Sequence, residues 1–321
     1  MSVRSTLTRA SVLIAAGLAT ALTLSACGSS DPLASSSSTA SAAASSGASG
    51  SDSAAGGPIT IGSANFPESA LLANIYAAAL KAKGVDVSTN LNIGSREIYL
   101  KALQDGSIDL VPEYSGVLLQ YFDPTATAVS SDDVYTALVA KTPSGLKVLT
   151  KSAAEDKDAV VVTKATADAN NLTSIADLAP VASTFILGGP PEWETRPTGV
   201  PGLKEKYGLT FKEFKALDAG GPLTLGALTS DQIQAGNLFT TDPSIPANNL
   251  VVLEDPKNLF AAQNVLPLIN AAKSSPQVEA ALDAVSAKLD TATLTQLLTK
   301  VQVDKEDSRQ VAQEWVAANL Q

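Results

Sequence analysis

Short apolar strands alternate with amphipathic helices along most of the chain. Residues 59–61 have an apolar strand pattern, and Pro67 stands where a helix begins, with Glu68 in its first turn. Apolar side chains recur over 71–80 at the spacing that puts them on one helix face. The next segments predict a strand, a helix and a strand at 87–93, 96–104 and 108–111. This βαβαβ order predicts a mostly parallel sheet covered by helices.

The same alternation continues to the end of the chain. Helical patterns fill 276–320, and further strands are predicted at 146–149, 159–163, 184–187, 238–241, 250–253 and 265–269. The stretch from 58 to 321 is longer than a single α/β core usually supports. We therefore expect two α/β lobes, the first formed by 58–112 and 243–321 and the second by 113–242. The hinge would lie where the chain crosses between them, near Glu113 and near Asp242.

The N-terminal region has the pattern of a bacterial export signal. Arg4 and Arg9 precede the apolar run 10–24, which is shorter than the roughly 20 residues that a membrane-spanning helix needs. Small residues then lead to Cys27, the only cysteine of the chain, in a Leu-Ser-Ala-Cys sequence that resembles a bacterial lipobox. The resemblance implies a signal peptide at 1–26 and a lipid on Cys27, which would anchor the protein on the outer side of the cell membrane.

Composition narrows the classes of function. Residues 27–57 are almost entirely Ser, Ala and Gly, which predicts a flexible tether. The chain has no histidine, so it lacks the commonest general base and the commonest transition-metal ligand. We therefore expect no enzyme activity, no metal and no other cofactor. The formal net charge of -10 disfavours nucleic acid as a partner.

Turns that follow the predicted strands carry the candidate binding residues. Asn65 and Phe66 lie after the first strand, at the edge where open α/β sheets bind ligands. Tyr114 lies in the turn that follows the third strand. After the second strand come Arg96 and Glu97, which we expect to be solvated charges in the first turn of a helix. The turns therefore predict a binding site at one edge of the sheet.

Several segments together resemble the substrate-binding proteins of osmoprotectant ABC importers, the glycine betaine, choline and carnitine group. The resemblance lies in the turn at Asn65 and Phe66, in the segment around Tyr114 and, in the family's order, in 189–196, 202–208, 239–242 and 253–257. It covers residues 59 to about 320. The resemblance implies an α/β, bilobal fold of the type II periplasmic-binding-protein kind (a Venus flytrap), with two lobes joined by a two-segment hinge.

The resemblance also implies how a solute would be held. Tyr114 would hold a quaternary ammonium group by cation–π attraction, and Arg196 would bind a carboxylate tail. Packing between the lobes or in the core is the alternative role for Trp193 and Phe239. An amide at position 263, near which an aromatic ring is common in the family, favours a ligand that needs hydrogen bonds. The full set of candidate ligand-binding residues is Asn65, Phe66, Tyr114, Trp193, Arg196, Phe239, Thr240, Asp242 and Gln263.

We therefore expect the extracytoplasmic solute-binding component of an ABC importer. It would act as a monomer that delivers a small quaternary amine to the permease and ATPase subunits, with only Cys27 attached to the membrane. Three alternatives stay open. The same fold could bind a polyhydroxylated or aromatic compound, or serve as a sensory lipoprotein. An extracellular hydrolase would have to use paired carboxylates drawn from Glu113, Glu192 and Asp242.

Overall fold

Two five-stranded β-sheets with helices packed on them make up residues 57–320, the part of the chain that the computed structural model describes. The predicted signal peptide at 1–26, the lipidation site Cys27 and all but the last residue of the predicted tether lie outside the described residues. Within 57–320, no helix is both long enough and apolar enough to cross a membrane.

The strands within 57–320 follow the apolar runs of the sequence, and each predicted strand is present with its ends shifted by about three residues or fewer. In chain order they are β1 (Ile59–Ala64), β2 (Val87–Gly94), β3 (Leu110–Tyr114), β4 (Leu146–Val148), β5 (Asp158–Thr163), β6 (Ile186–Gly189), β7 (Glu213–Ala216), β8 (Ala235–Phe239), β9 (Leu250–Val252) and β10 (Val265–Asn270). Strand β7 was not predicted, because it is a short edge strand with two charged residues among its four.

The helices begin at ordinary start signals, such as the Pro at the first turn of the first helix and the capping side chains of Ser130, Ser275 and Asp290. In chain order they are α1 (Pro67–Ala82), α2 (Arg96–Gln104), α3 (Ser115–Phe122), α4 (Ser131–Lys141), α5 (Lys164–Asn170), α6 (Val200–Tyr207), α7 (Pro222–Thr229), α8 (Ser244–Ala247), α9 (Pro276–Lys288), α10 (Thr291–Gln302) and α11 (Ser308–Asn319).

Both sheets are mixed. The three strands of the predicted βαβαβ unit pair in parallel as expected, but a later strand adds antiparallel pairs, so the sheet as a whole is not mostly parallel. The first sheet has the order β2-β1-β3-β10-β4, and the second has the order β7-β6-β8-β5-β9. Strand β1 pairs in parallel with β2 and β3, whereas β10 is antiparallel to β3 and β4. The second sheet repeats this arrangement, with β6 parallel to its neighbours and β5 antiparallel to its own. Strands β5 and β10, which are antiparallel to both of their neighbours, are the first strands that the chain forms after it crosses from one sheet to the other.

Helix α1 lies at the centre of the core beneath the first sheet. It packs on β1 and β2 from one side and on α9, α10 and α11 from the other. Burial on almost every face explains why apolar residues occupy more of this helix than the single predicted stripe, including Leu71, Leu72, Ile75 and Leu80. The helix is therefore held rigidly, and so is the turn that precedes it.

The chain crosses between the sheets twice, over 149–157 and over 253–264. The two crossing segments run side by side, with an antiparallel bridge between Glu155 and Asn264 and a 3.1 Å hydrogen bond from the Asp156 N–H to the Gln263 carbonyl. The two-segment connection of the expected bilobal fold is therefore present.

The crossings are not near residues 113 and 242, where the sequence placed them. After β3 the chain stays with the first sheet, because α3 packs on α4 and β4 pairs with β10. Similarly, β9 pairs with β5 of the second sheet before the chain returns. Sheet membership thus puts 115–148 with the first sheet and 250–252 with the second, opposite to the expected assignment.

Two helical glycines provide a test of this packing. A Cβ atom at Gly202 in α6 would lie 2.0 Å from the Pro197 carbonyl oxygen, whereas a Cβ at Gly226 in α7 meets nothing within 4 Å. We expect Gly202→Ala to lower the free energy of unfolding by about 1–3 kcal/mol. Gly226→Ala should raise it by about 0.5–1 kcal/mol, because alanine loses less backbone entropy on folding. Urea unfolding of both variants checks this, and equal effects would contradict the packing described.

Candidate ligand-binding site

A cavity lies between the two sheets, at the edge where several strands end. Its empty space, including the open mouth, amounts to about 540 Å³. A cavity of this size suits a small solute. The cavity is lined by Ala64, Asn65, Phe66, Ser95, Arg96, Tyr99, Tyr114, Val117, Asp156, Asp158, Pro190, Glu192, Trp193, Arg196, Ala219, Asn237, Phe239 and Gln263.

Strand direction explains why these residues meet. The carboxyl ends of β1, β3, β6 and β8 face the cavity, as is usual for ligand sites of α/β sheets. The antiparallel strands bring their amino ends to the same edge, since Asp158 pairs with Phe239 and Val265 pairs with Tyr114. Residues just before or at the start of β5 and β10, such as Asp156 and Gln263, therefore reach the cavity as well.

Three aromatic rings form a cluster that spans the two lobes. Pro67 begins α1, and the preceding Phe66 has extended backbone angles (φ -140°, ψ 157°), so its ring lies at the cavity wall. The Phe66 ring centroid lies 6.0 Å from that of Tyr114, at the end of β3, and 5.0 Å from that of Phe239, at the end of β8. The cluster thus joins the first sheet to the second, and its three rings line the cavity.

Trp193, Asn237 and Gln263 form the buried polar part of the wall. The Trp193 ring is 1% exposed and stacks on Phe260 at 6.4 Å between centroids. Among the described residues, no hydrogen-bond partner is found for Trp193 Nε1 or for Asn237 Oδ1. The Asn237 Nδ2 group donates to Asp158 Oδ1 at 3.0 Å, which fixes the orientation of the amide. Gln263 Nε2 likewise has no hydrogen-bond partner in the described chain, so two donors and one acceptor of the wall are unpaired.

Arg196 lies at the cavity mouth, but a protein carboxylate already occupies its guanidinium group. Its Nη2 donates to Glu97 Oε1 at 3.1 Å and to Oε2 at 3.0 Å, and Glu192 Oε1 lies 3.7 Å away. Partial burial by itself would raise the pKa of Glu97, but hydrogen bonds from Arg196 and Ser95 lower it to about 2. Because Glu97 belongs to the first lobe and Arg196 to the second, this ion pair bridges the lobes.

Arg96 is buried, which corrects the expectation of a solvated charge. Its Nε and Nη2 atoms donate to Glu113 Oε1 and Oε2 at 2.9 and 3.0 Å, and the Tyr99 hydroxyl donates to Oε1 at 2.7 Å. The Tyr114 N–H donates to Oε2 at 3.0 Å, so four donors satisfy the carboxylate. The sequence did contain a signal for this pair: Glu113 is a charged residue inside a strand whose five residues are all buried.

A second group of buried acids lies behind the aromatic cluster. Glu68 Oε1 accepts a 2.7 Å hydrogen bond from the Tyr114 hydroxyl, and Glu68 Oε2 accepts one of 2.5 Å from Thr241 Oγ1. Asp156 accepts a hydrogen bond from the Thr241 N–H at 3.1 Å, so Thr241 contacts both acids. Burial raises the pKa of Glu68, and burial together with the neighbouring Glu68 raises the pKa of Asp156 well above its ordinary value. Burial likewise raises the pKa of Asp158.

Thr240 and Asp242, both expected to bind ligand, are not among the lining residues. The chain turns after β8, so that Thr240 Oγ1 accepts from the Lys157 N–H at 2.9 Å and Asp242 Oδ1 accepts from the Ser244 N–H at 2.8 Å. The other predicted residues do line the cavity. The sequence analysis did not identify Tyr99, Asp156, Asp158 and Asn237 as lining residues. Their positions depend on the antiparallel pairing of β5 with β8 and on the burial of α2, and both arise from contacts between distant segments.

The sequence of the folded region identifies the family of the protein. Residues 57–318 match OpuAC, the substrate-binding domain of the ABC-type glycine betaine transport system. The chain belongs to the OpuAC family. It is 28% identical over 273 residues to the glycine betaine-binding protein YehZ of Escherichia coli (strain K12), covering 81% of this chain and 90% of that protein.

Two further comparisons agree with this assignment. The carnitine transport binding protein OpuCC of Listeria monocytogenes is 23% identical, over 81% of this chain and 86% of that protein. The crystal structure of a glycine betaine/carnitine/choline ABC transporter protein has the same fold, with a TM-score of 0.64 at 21% identity, over 81% of this chain and 98% of that one. The expected bilobal binding-protein fold is thereby confirmed.

Membership of the OpuAC family gives the class of function. The protein is the extracytoplasmic substrate-binding component of an ABC importer for osmoprotectants of the glycine betaine, choline and carnitine type. It is a transport protein and not an enzyme, which confirms the expectation from the sequence and sets aside the hydrolase alternative. Glu113 and Glu192, which that alternative required, are instead engaged with Arg96 and Arg196.

The raised pKa of Asp156 predicts how the stability of this OpuAC protein depends on pH. Between the ordinary aspartate value of 3.8 and the raised folded-state value, the native protein binds a proton that the unfolded chain has lost. The free energy of unfolding should therefore fall as pH rises through this window, by about 1.4 kcal/mol per pH unit for one proton. Asp156→Asn keeps a hydrogen-bonding group but cannot ionise, so the fall should become shallower.

Urea unfolding at several pH values from 4 upward measures this difference. Asp168→Asn is the matched control, because Asp168 is exposed and its i,i+4 pair with Lys164 lies on the surface. The control should keep the slope of the unaltered protein. A slope in Asp156→Asn equal to that of the control would show that Asp156 does not carry the proton.

Proposed function

We propose that the cavity between the sheets is the ligand site and that it holds the quaternary ammonium group of an osmoprotectant against the rings of Phe66, Tyr114 and Phe239. The observation that carries this proposal is the aromatic cluster itself, which lines the cavity and joins both lobes. A quaternary ammonium group has no N–H to donate, so ring faces are its natural partners, and each contributes about 0.5–2 kcal/mol.

The charges around the cavity support a cationic group. Asp156 and Asp158 line the cavity, and Glu68 lies behind the Tyr114 ring. The names of the relatives agree, since the Escherichia coli protein is a glycine betaine-binding protein and the Listeria monocytogenes protein is a carnitine-binding protein. The small cavity and its acidic wall favour a compact cation over the polyhydroxylated or aromatic compounds of the alternative hypothesis.

We also propose the lobes and their movement. Residues 57–148 with 265–320 would form one lobe and 158–252 the other, joined by the crossing segments 149–157 and 253–264. A ligand that touches both lobes binds the closed arrangement more tightly than an open one and shifts the population toward it. The bridge between Arg196 and Glu97 would form at the mouth in the closed arrangement. The closed protein would then present the solute to the permease.

The membrane anchor belongs to the same proposal. A lipid on Cys27 and a tether over 27–57 would keep the binding protein near the permease, since a flexible Gly- and Ser-rich chain reaches roughly 5–6 Å times the square root of its residue number. The support is the order of charged residues, apolar run and small residues before Cys27.

Removal of single rings tests the ligand site. We expect Phe66→Leu and Phe239→Leu each to weaken binding of the tightest of glycine betaine, choline and carnitine by about 2- to 30-fold, because a ring face is lost while the volume is nearly kept. Isothermal titration calorimetry measures the dissociation constants. Phe122→Leu is the control, since this ring contacts Tyr121 and is not among the cavity-lining residues. Unchanged binding in both cavity variants would refute the proposed site.

Replacement of the single cysteine tests the anchor. Cys27→Ser removes the only thiol that could be acylated. We expect the unaltered protein to incorporate labelled palmitate and to sediment with membranes, and the variant to do neither. Equal sedimentation of the two proteins, without label in either, would exclude lipid anchoring at this residue.

A further inference from the structure

Both arginines at the cavity are already paired with carboxylates of the protein. Arg96 and Arg196 are the only basic side chains among the residues that line it. Arg96 makes a buried two-point contact with Glu113, whose oxygens are also occupied by Tyr99 and a backbone N–H. Arg196 makes a two-point contact with Glu97. A carboxylate of a ligand would therefore have to compete with a protein carboxylate for either lining cation.

Two of the lining carboxylates, Asp156 and Asp158, in contrast lack cationic partners. Within residues 57–320, no lysine or arginine forms an ion pair with Asp156 or Asp158. Both side chains are buried, and burial raises the pKa of each because the charged form has lost its water. A bound cation would stabilise the ionised form of these two carboxyl groups, whereas a ligand carboxylate near them would oppose their ionisation.

The free hydrogen-bonding groups of the wall indicate what the ligand's tail should be. Asn237 Oδ1 is a buried acceptor without a partner in the described chain, and Trp193 Nε1 and Gln263 Nε2 are buried donors without one. The acceptor decides between the two tails, because either a hydroxyl or a carboxylate can accept from the donors. Since Asn237 Nδ2 is committed to Asp158, the free atom of this amide can only accept. A carboxylate can only accept and cannot satisfy it. A hydroxyl group can donate to Asn237 Oδ1 and can also accept a hydrogen bond from a group such as Trp193 Nε1.

We propose that this cavity selects a quaternary ammonium alcohol, a cation with a hydroxyl tail, over a zwitterion with a carboxylate tail. The inference rests on the proposed function and adds the chemistry of the tail to it. A zwitterion would have to compete with Glu97 for Arg196. That competition would weaken the hydrogen bonds from Arg196 that stabilise the charged form of Glu97. The ion pair at the mouth thus acts as a filter against carboxylates.

Choline and glycine betaine provide a matched pair of probes, because they share the trimethylammonium head and differ in a hydroxyl against a carboxylate. Calorimetric titration of the purified protein with each compound compares the tails while the ring contacts stay the same. We expect choline to bind about tenfold or more tightly than glycine betaine, as a buried polar group left unpaired has a cost of this order.

The variant Glu97→Gln tests the filter directly. It removes the charged partner that contacts Arg196 at two points and leaves only Glu192, 3.7 Å away, so the affinity of glycine betaine relative to choline should rise about fivefold or more. The ratio of the two affinities is the readout, because a weaker contact between the lobes would affect both ligands alike. Glu194→Gln is the control, since Glu194 is an exposed neighbour outside the cavity lining, and it should leave the ratio unchanged.

The outcomes separate this inference from the proposed function. Equal affinities in the unaltered protein, or tighter binding of glycine betaine, would overturn selection for a hydroxyl tail and leave binding of quaternary amines intact. A ratio that does not move in Glu97→Gln would overturn the role of the ion pair. If the protein binds none of choline, glycine betaine and tetramethylammonium, the proposed function is overturned, and the inference with it.

Discussion

The buried ion pair between Arg96 and Glu113 is the interaction on which the cavity depends. It joins the first turn of α2 to the end of β3, and the same carboxylate holds the Tyr99 hydroxyl and the Tyr114 backbone. Two aromatic side chains of the cavity wall are thus positioned by one charged group. Loss of one partner of such a buried pair typically costs about 3–5 kcal/mol, because the remaining charge stays without water. The site is therefore built on an interaction that tolerates little change.

The spacing of apolar residues predicted most of the strands and helices, because this spacing is a property of short segments of the chain. Helix α2 has the predicted bounds, and the helical pattern at 276–320 divides into three helices. The order of the strands within the sheets could not be predicted in the same way. The pairing of β4 with β10, and of β9 with β5, joins segments more than 80 residues apart. The lobe boundaries depend on these pairings, so they were placed in the wrong segments.

The candidate site shows the same division. Phe66 and Tyr114 could be chosen from the sequence, since each follows a predicted strand that ends at the ligand-binding edge. Asp156, Asp158 and Asn237 could not, because they reach the cavity through antiparallel strands whose partners are set by tertiary contacts. Arg196 was located correctly at the cavity, but its partner Glu97 lies 99 residues away and no local pattern connects them. Charge pairing across a cleft is a property of the folded chain.

The paired crossing segments have a mechanical consequence. Asp156 and Gln263 lie on these segments, hydrogen-bond to each other through the backbone and also line the cavity. The connection between the two sheets therefore forms one wall of the cavity, while Arg196 and Glu97 lie at its mouth. A small change of angle at such a connection would give a larger displacement at the mouth. Two adjacent segments would also resist twisting more than a single segment.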